Sequence, residues 1–182
     1  GETVGETYAD GTRRAWEYDA EGRLRAEIDE RGRRTERSYD DAGRIERYSR
    51  PDGAEIQYEW DTLGRLASYT VALGGQQWSV GRTYDDDGLL ASLVGPDGVA
   101  TSFGYNAGGQ RSRTEHANGT ATIYEYDGQG RVRLLEHEGP DGEPMLAWDY
   151  VWAPGGLEQE HALDGSQTTY SHDAAGRLLS AQ

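Results

Sequence analysis

The stretch Tyr18-Asp19-Ala20-Glu21-Gly22-Arg23-Leu24 recurs along the chain and decides the fold. Close copies have an aromatic residue first, then Asp, Gly, Arg and an aliphatic residue at fixed offsets. We call each copy a signature, and the eight signatures begin at Tyr18, Tyr39, Trp60, Tyr84, Tyr105, Tyr126, Trp152 and His172. Such recurrence at a period of about 20 residues or more is typical of a repeat protein, in which every copy forms the same local structure.

A second turn signal lies between successive signatures. It is a glycine that usually follows Asp, as in Asp52-Gly53 and Asp97-Gly98. Turn glycines therefore come about every 10 or 11 residues, which leaves room for strands of roughly six residues and none for helices. The sequence predicts two antiparallel strands in each repeat and about sixteen strands in a meander.

The spacing Asp-x-x-Gly-Arg has a direct structural interpretation. A type I turn favours Asp at its first position, and a left-handed residue, usually Gly, then closes a three-residue hairpin loop. We therefore assign the turn and the strand register to the following residues: Asp19, Gly22, Arg23, Asp40, Gly43, Arg44, Asp61, Gly64, Arg65, Asp127, Gly130, Arg131, Asp173, Gly176 and Arg177.

Counting outward from each turn predicts which residues face each other. In the first repeat Tyr18 faces Leu24, Glu17 faces Arg25, and Trp16 faces Ala26. The same count in the sixth repeat pairs Tyr126 with Val132, Glu125 with Arg133, and Tyr124 with Leu134. The expected sheet has charge pairs on one face and apolar pairs on the other.

Most aromatic residues occupy the first signature position or the position two residues before it. Because alternate residues of a strand share a face, they form two columns across the sheet. These residues are Trp16, Tyr18, Tyr39, Tyr58, Trp60, Tyr84, Phe103, Tyr105, Tyr124, Tyr126, Tyr150, Trp152 and Tyr170. Two interpretations stay open: the rings supply the buried core, or they form a binding surface that stacks on sugar rings.

Composition narrows the possible functions. The 182 residues carry a net charge of -15, no Cys and no Lys, and only 26 are Leu, Ile, Val or Phe. With so few aliphatic residues, the aromatic residues must provide the burial that folding needs. The acidic balance argues against a nucleic-acid partner. No apolar run reaches the roughly 18 residues of a membrane span, and the first residues lack the pattern of a secretory signal.

Residues with catalytic or metal-binding potential are scattered. His116, His137, His161 and His172 have no ligand spacing and are interpreted as ordinary strand positions. The cluster Asp85-Asp86-Asp87-Gly88 lacks the later oxygen ligands of a calcium loop, so it is interpreted as a solvated turn. No nucleophile, base and orienting group converge, and we expect no catalytic residues, no cofactor and no metal.

The signature resembles the YD repeats of Rhs proteins, of the shell-forming components of bacterial toxin complexes, and of teneurins. The resemblance extends from about Tyr8 to Gln182. It implies a long β-sheet that spirals into a hollow shell, which in bacterial members encloses a C-terminal toxic polypeptide. Teneurins are similar in their shell but act as cell-surface adhesion receptors. Departures from the pattern lie in repeats four, five and seven: Leu89 and Gln110 at the Arg position, Asn106 and Ala153 at the Asp position, and Pro154-Gly155-Gly156.

The expected fold is therefore all-β: an antiparallel meander of about eight β-hairpin YD repeats, curled into an open or spiral barrel-like shell segment. Residues 1–182 are expected to form a single YD/Rhs-repeat domain that is a fragment of a longer shell. A flat sheet of this length has exposed edges, so we expect it to curl with the aromatic columns on the concave side.

The expected function is that of a non-enzymatic wall segment of a shell that encloses a toxin polypeptide. The expected partners are neighbouring repeats of the parent protein and the enclosed polypeptide, with a glycan and edge-to-edge self-association left open, and without nucleic acid or a membrane span. The resemblance implies a secreted or cell-surface location. The alternatives are an extracellular adhesion or carbohydrate-binding repeat module, and a fragment with no activity of its own.

Overall fold

The computed structural model describes residues 1–182 and consists of strands joined by turns. The strands are β1 Thr3–Thr7, β2 Arg13–Tyr18, β3 Leu24–Ile28, β4 Arg34–Tyr39, β5 Ile45–Ser49, β6 Glu55–Trp60, β7 Leu66–Leu73, β8 Gln76–Tyr84, β9 Leu90–Val94, β10 Ala100–Tyr105, β11 Arg111–His116, β12 Ala121–Tyr126, β13 Val132–Glu138, β14 Pro144–Ala153, β15 Gly156–Ala162, β16 Gln167–His172 and β17 Leu178–Ala181.

These strands confirm the predicted all-β meander. Each register joins two antiparallel strands that are neighbours in sequence, as in β1–β2, β2–β3 and β13–β14. The strand beyond the predicted sixteen is β1, which precedes the first signature and pairs with β2. The curl of the sheet stays a prediction.

The chain divides into two compact units. Unit 1 comprises residues 1–83 with 94–98, and unit 2 comprises residues 84–93 with 99–182. In unit 1 the registers run without interruption from β1 to β8, and in unit 2 they run from β10 to β17. Each unit is thus a series of hairpins, in which every strand hydrogen-bonds to the next strand along the chain.

Seven of the eight signature turns share one backbone geometry. Gly22 has a φ of 79°, and its N–H donates to the carbonyl of Asp19 at 3.2 Å. The N–H of Asp19 donates to the carbonyl of Arg23 at 2.9 Å, which closes the hairpin. A positive φ of this size is strained for any residue with a Cβ, so the turn requires glycine at this position.

The predicted register is correct at the turn and wrong beyond it. Tyr18 pairs with Leu24, but Glu17 pairs with Ala26 and Trp16 with Glu27, so Arg25 is left over between two paired residues. It forms a β-bulge, in which two residues of one strand oppose one of the other. The uninterrupted count therefore misplaces every residue farther from the turn by one.

The sixth repeat contains the same correction. Glu125 pairs with Leu134 and Tyr124 with Leu135, and Arg133 is the extra residue. The Arg133 side chain nevertheless forms an ion pair with Glu125, so the predicted charge contact exists without the predicted backbone pairing. A bulge strengthens strand twist, and its repetition after the signature corners makes it a regular part of the fold.

The bulge keeps the aromatic side chains of neighbouring strands on one side. Side chains of opposed residues share a face, as do alternate residues of one strand. In unit 1 Tyr58 opposes Tyr69, and in unit 2 Tyr124 opposes Leu135. We call the side of each unit that carries the signature aromatic residues its aromatic face, and the opposite side its polar face.

The rings of the two aromatic columns are only partly buried. The thirteen column residues are half-buried, and no large side chain is fully buried. The buried apolar residues are small ones, Ala26, Ala54 and Ala121. The rings stay partly exposed because only side chains of neighbouring strands cover them. The aromatic columns are therefore a half-covered surface rather than an enclosed core.

Candidate functional site: the corner ladder and the aromatic face

Each signature aspartate that is followed by the signature arginine organises its turn with both carboxylate oxygens. Oδ1 of Asp40 accepts hydrogen bonds from the N–H groups of Ala42, at 3.0 Å, and Arg44, at 2.8 Å. Oδ2 accepts a bond from Nε of Arg44 at 2.7 Å. The carboxylate therefore satisfies turn N–H groups that a plain hairpin would leave to water, and it fixes the arginine beside it.

These contacts lower the pKa of the carboxyl groups of Asp40, Asp61 and Asp127. For Asp40, Asp61 and Asp127 the largest cause is the hydrogen bond from the backbone N–H of the arginine four residues later. Burial opposes the shift, and the arginine side chain adds to it. The corner thus favours the ionised form of the aspartate.

The signature arginine also reaches the next repeat. The guanidinium carbon of Arg23 lies 4.6 Å from the ring centroid of Tyr39, and that of Arg44 lies 5.4 Å from the ring of Trp60. In unit 2, Arg131 lies over Trp152 at 5.2 Å. A guanidinium within about 6 Å of a ring centroid makes a cation–π contact. The arginine therefore belongs to two repeats at once.

The polar atom of the same aromatic side chain completes the contact between repeats. The hydroxyl of Tyr39 donates to the carbonyl of Leu24 at 2.8 Å, and Nε1 of Trp60 donates to the carbonyl of Ile45 at 2.9 Å. Equivalent bonds join Tyr105 to Leu90, Tyr126 to Arg111, and Trp152 to Val132. The acceptor is always the residue after the signature's Arg position, so one pattern repeats in both units.

We call this series of aspartate, arginine and following aromatic residue the corner ladder. Sequence reasoning found all of its members but missed the bonds between repeats, since it assigned the arginines only to the turns and the strand register. The available signal was the polar atom at the first signature position, which is Tyr or Trp in seven of the eight copies. Both residue types bury an apolar ring and still need a hydrogen-bond partner.

The divergent repeats retain much of this geometry. In repeat four, Oδ1 of Asp85 accepts the N–H of Leu89 at 2.8 Å although no arginine follows. In repeat five, Oδ1 of Asn106 accepts the N–H groups of Gly108 and Gln110. In repeat seven the strands are joined by a shorter turn, and Ala153 pairs with Gly156. An amide or carboxylate oxygen at the first turn position is therefore sufficient for the longer turn.

The aromatic face also contains a few polar contacts. In unit 2, the hydroxyl of Tyr170 donates to Oε2 of Glu160 at 3.1 Å, and burial followed by this hydrogen bond raises the pKa of Tyr170. Nδ1 of His137 lies 2.9 Å from Oγ1 of Thr122, and the His137 ring meets Trp148 edge to face at 5.9 Å. The face thus offers rings with polar groups between them.

The polar face is tied together by ion pairs that cross a strand. Arg34 of β4 reaches over β3 and donates two hydrogen bonds to Glu17 of β2, at 2.8 and 2.7 Å. The residue of β3 opposed to Glu17 is Ala26, which has no exposed surface. In unit 2, Arg113 and Glu138 flank Ala121 in the same way, with Nη1 and Oε2 3.0 Å apart. Sequence analysis did not identify these pairs.

The four histidines lie in strands, and the aspartate cluster Asp85-Asp86-Asp87-Gly88 lies in the turn between β8 and β9. His116 ends β11, His137 lies in β13, His161 in β15 and His172 in β16. No three His, Asp or Glu side chains are grouped so as to hold a metal ion. No helix has the length and apolarity required to cross a membrane.

A family comparison identifies the repeat. The model of the RHS Repeat family matches residues 1–35, 18–55, 39–76 and 84–120, which together are more than half of the chain. The chain belongs to the RHS-repeat family. A search of curated protein sequences gave no match.

Solved structures similar to this RHS-repeat chain include TcdB2-TccC3 assemblies and a Tc holotoxin pore. The crystal structure of TcdB2-TccC3-TEV has a TM-score of 0.47 and 16% identity, covering 98% of this chain and 13% of that one. The Photorhabdus luminescens Tc holotoxin pore with a TccC3 mutation has a TM-score of 0.44 and 17% identity, covering 96% of this chain and 13% of that one. The chain thus spans about an eighth of the length of these proteins.

Proposed function

We propose that this RHS-repeat chain is a non-enzymatic wall segment of a hollow shell whose aromatic face contacts an enclosed polypeptide. The observation that carries the proposal is the difference between the two faces. One face holds the signature rings, which are partly exposed, and the other holds ion pairs such as Arg34–Glu17 and Arg113–Glu138. Partly exposed rings favour binding of apolar side chains, because the contact removes the rings from water. Charged side chains on the other face favour contact with solvent.

The shell proposal includes the finer expectations about partners and place. Neighbouring RHS repeats continue the sheet, the enclosed polypeptide is a toxin, and the assembled protein is secreted or displayed at the cell surface. These follow from the family, whose bacterial members enclose a toxic polypeptide. The curl that puts the aromatic face on the concave side belongs to the same proposal.

Site-specific photo-crosslinking in the full-length parent protein tests this function. A photoreactive phenylalanine analogue replaces Tyr124 on the aromatic face or Glu125 on the polar face in separate variants. We expect crosslinks to the enclosed polypeptide from position 124 and none from position 125. Equal crosslinking from both positions, or crosslinking from 125 alone, would contradict the proposal.

Half-exposure of the rings also favours a second candidate, a carbohydrate-binding or adhesion module. Trp78, which opposes Val71 on the aromatic face, is 40% exposed, and flat indole or phenol rings stack on sugars. A glycan array probed with the chain tests this function. Binding that Tyr124→Ala and Tyr126→Ala abolish while the fold persists would favour the module, and an array without bound glycans would count against it.

A further inference from the structure

Two arginines on the aromatic face of unit 1 interrupt the second aromatic column. The residue two before each signature is aromatic in six of the eight repeats, but it is Arg37 in the second repeat and Arg82 in the fourth. Arg37 opposes Tyr48 in the register, and Arg82 lies two residues beyond Val80, which opposes Tyr69. Both guanidinium groups therefore lie among rings rather than among charges.

Each of these arginines stacks on a tyrosine. The guanidinium carbon of Arg37 lies 5.3 Å from the ring centroid of Tyr48, and that of Arg82 lies 5.2 Å from the ring of Tyr69. Stacking fixes the plane of a guanidinium and leaves its edge free for hydrogen bonding. In this respect the two side chains resemble those of the corner ladder.

Unlike the corner arginines, these two have no carboxylate. Nη2 of Arg44 lies 2.7 Å from Oδ2 of Asp40. On the aromatic face, Nε of Arg14 lies 3.4 Å from Oε1 of Glu30. Arg37 and Arg82 form no ion pair, and Nη1 of each is buried without a hydrogen-bond partner. Burying part of a charged group without a partner costs free energy. Each side chain as a whole is only half-buried, so part of it is open to a ligand on the aromatic face.

We propose that Arg37 and Arg82 are two carboxylate-binding positions, which hold acidic side chains of an extended polypeptide lying across the strands. Four strand spacings, about 19 Å, separate β4 from β8. The register also offsets Arg82 from Arg37 by four residues, about 13 Å, along the strands, because Trp78 is the β8 residue in the row of Arg37. An extended chain covers the combined distance of about 23 Å in about seven residues. This inference rests on the proposed contact with an enclosed polypeptide. It adds that the contact favours a polypeptide with acidic side chains.

The charge of the whole chain makes this preference specific. With a net charge of -15, the chain as a whole repels acidic peptides. Preferential binding of an acidic peptide therefore requires local sites at which a fixed guanidinium outweighs that repulsion.

Fluorescence anisotropy with the 182-residue chain tests the proposal at low ionic strength. The probes are three labelled glycine-serine peptides that contain two tyrosines: one with two glutamates about seven positions apart, one with glutamines at the same places, and one with adjacent glutamates. We expect the spaced-glutamate peptide to bind about tenfold more tightly than the glutamine peptide, a difference of one charge-assisted contact or more. The adjacent-glutamate peptide reaches only one arginine and is expected to bind with intermediate affinity.

Variants of single arginines locate the sites. Arg37→Gln and Arg82→Gln are each expected to reduce the preference for glutamate. Arg37→Lys, which keeps the charge without the stacked planar donor, is expected to retain only part of it. The matched control is Arg47→Gln on the polar face, where Nη1 of Arg47 lies 3.2 Å from Glu55, and it should leave the preference unchanged. Circular dichroism establishes that each variant is folded.

The outcomes separate this inference from the proposed function. Equal binding of the glutamate and glutamine peptides would overturn the carboxylate sites and leave the polypeptide-contacting face intact. A loss with Arg47→Gln as large as with Arg37→Gln would also overturn the sites, because the attraction would then be general. Failure of all three peptides to bind would count against both the sites and the proposed contact.

Discussion

At the scale of single residues, the signature is a set of side chains with more than one bonding partner each. Asp40 bonds two backbone N–H groups and one arginine, and Arg44 bonds Asp40 while it stacks on Trp60. The next turn glycine lies against that arginine, since a Cβ on Gly64 would be 3.4 Å from Nη1 of Arg44. The signature is therefore a unit of tertiary structure as well as a turn.

The double role of the signature arginine predicts that its removal is costly. Arg44→Ala removes the contact with Trp60, so we expect a loss of about 1 kcal/mol from the cation–π term alone and a Tm lower by about 2–4 °C. Thermal unfolding followed by circular dichroism measures it. Arg47→Ala, which removes an arginine that is 51% exposed, is the control and should change the Tm little. Equal effects of the two variants would argue against the stacking role.

The carboxylate and its charge can be separated at Asp40. Asp40→Asn retains an oxygen for the turn N–H groups, as Asn106 does in repeat five, whereas Asp40→Ala removes it. We expect the alanine variant to have the lower midpoint in urea unfolding and the asparagine variant to lie closer to the wild type. If both variants unfolded at the same midpoint, the charge rather than the turn bonds would dominate.

At the scale of the strands and hairpins, the sequence is sufficient to predict the turns but not the bulges or the contacts between repeats. The positions of Gly22 and Gly43 predict the turns, because a left-handed backbone leaves few alternatives to glycine. The bulge at Arg25 was not predicted, since an extra residue inside a strand leaves no mark on the turn spacing. The contacts between Arg23 and Tyr39 were missed for a related reason: they join residues 16 apart, and only the strand order brings them together.

The bond from the aromatic residue to the preceding repeat predicts a hydroxyl-specific effect. Tyr39→Phe removes the donor to the carbonyl of Leu24 and keeps the ring, so we expect a destabilisation of about 1 kcal/mol. Urea unfolding followed by tryptophan fluorescence measures the change. Tyr58→Phe is the matched control on the same face, because Tyr58 opposes Tyr69 and has no hydroxyl bond, and it should be neutral. If Tyr39→Phe left the free energy of unfolding unchanged, the hydroxyl bond between repeats would not contribute to stability.

At the scale of the whole molecule, repeated corners make stability depend on pH. Native contacts lower the pKa of Asp40, Asp61, Asp127 and Asp173, chiefly through the backbone N–H of the arginine four residues later. The unfolded chain, with an ordinary aspartate pKa of about 3.9, then binds protons first as the pH falls. The stabilisation is complete above that pKa and disappears as the pH falls through the native value.

Acid titration of stability checks this linkage. We expect the urea midpoint of the wild type to fall steeply below about pH 4. Asp40→Asn should show a shallower fall, because one of the linked carboxyls is absent. Comparison of the two proteins cancels the general effect of protonating the other acidic residues. Parallel curves would show that the corner carboxyls do not contribute to the acid sensitivity.

The account as a whole depends on the bulged register that keeps the aromatic residues on one face, and engineered disulfides measure that register directly. Since the chain has no cysteine, each introduced pair is unambiguous. Opposed residues lie within disulfide range, whereas a one-residue slip puts the side chains on opposite faces. We predict oxidation to crosslink Trp16→Cys with Glu27→Cys in unit 1 and Tyr124→Cys with Leu135→Cys in unit 2. The slipped pairs, Trp16→Cys with Ala26→Cys and Tyr124→Cys with Leu134→Cys, should stay reduced, and their crosslinking in place of the first two would contradict the structure.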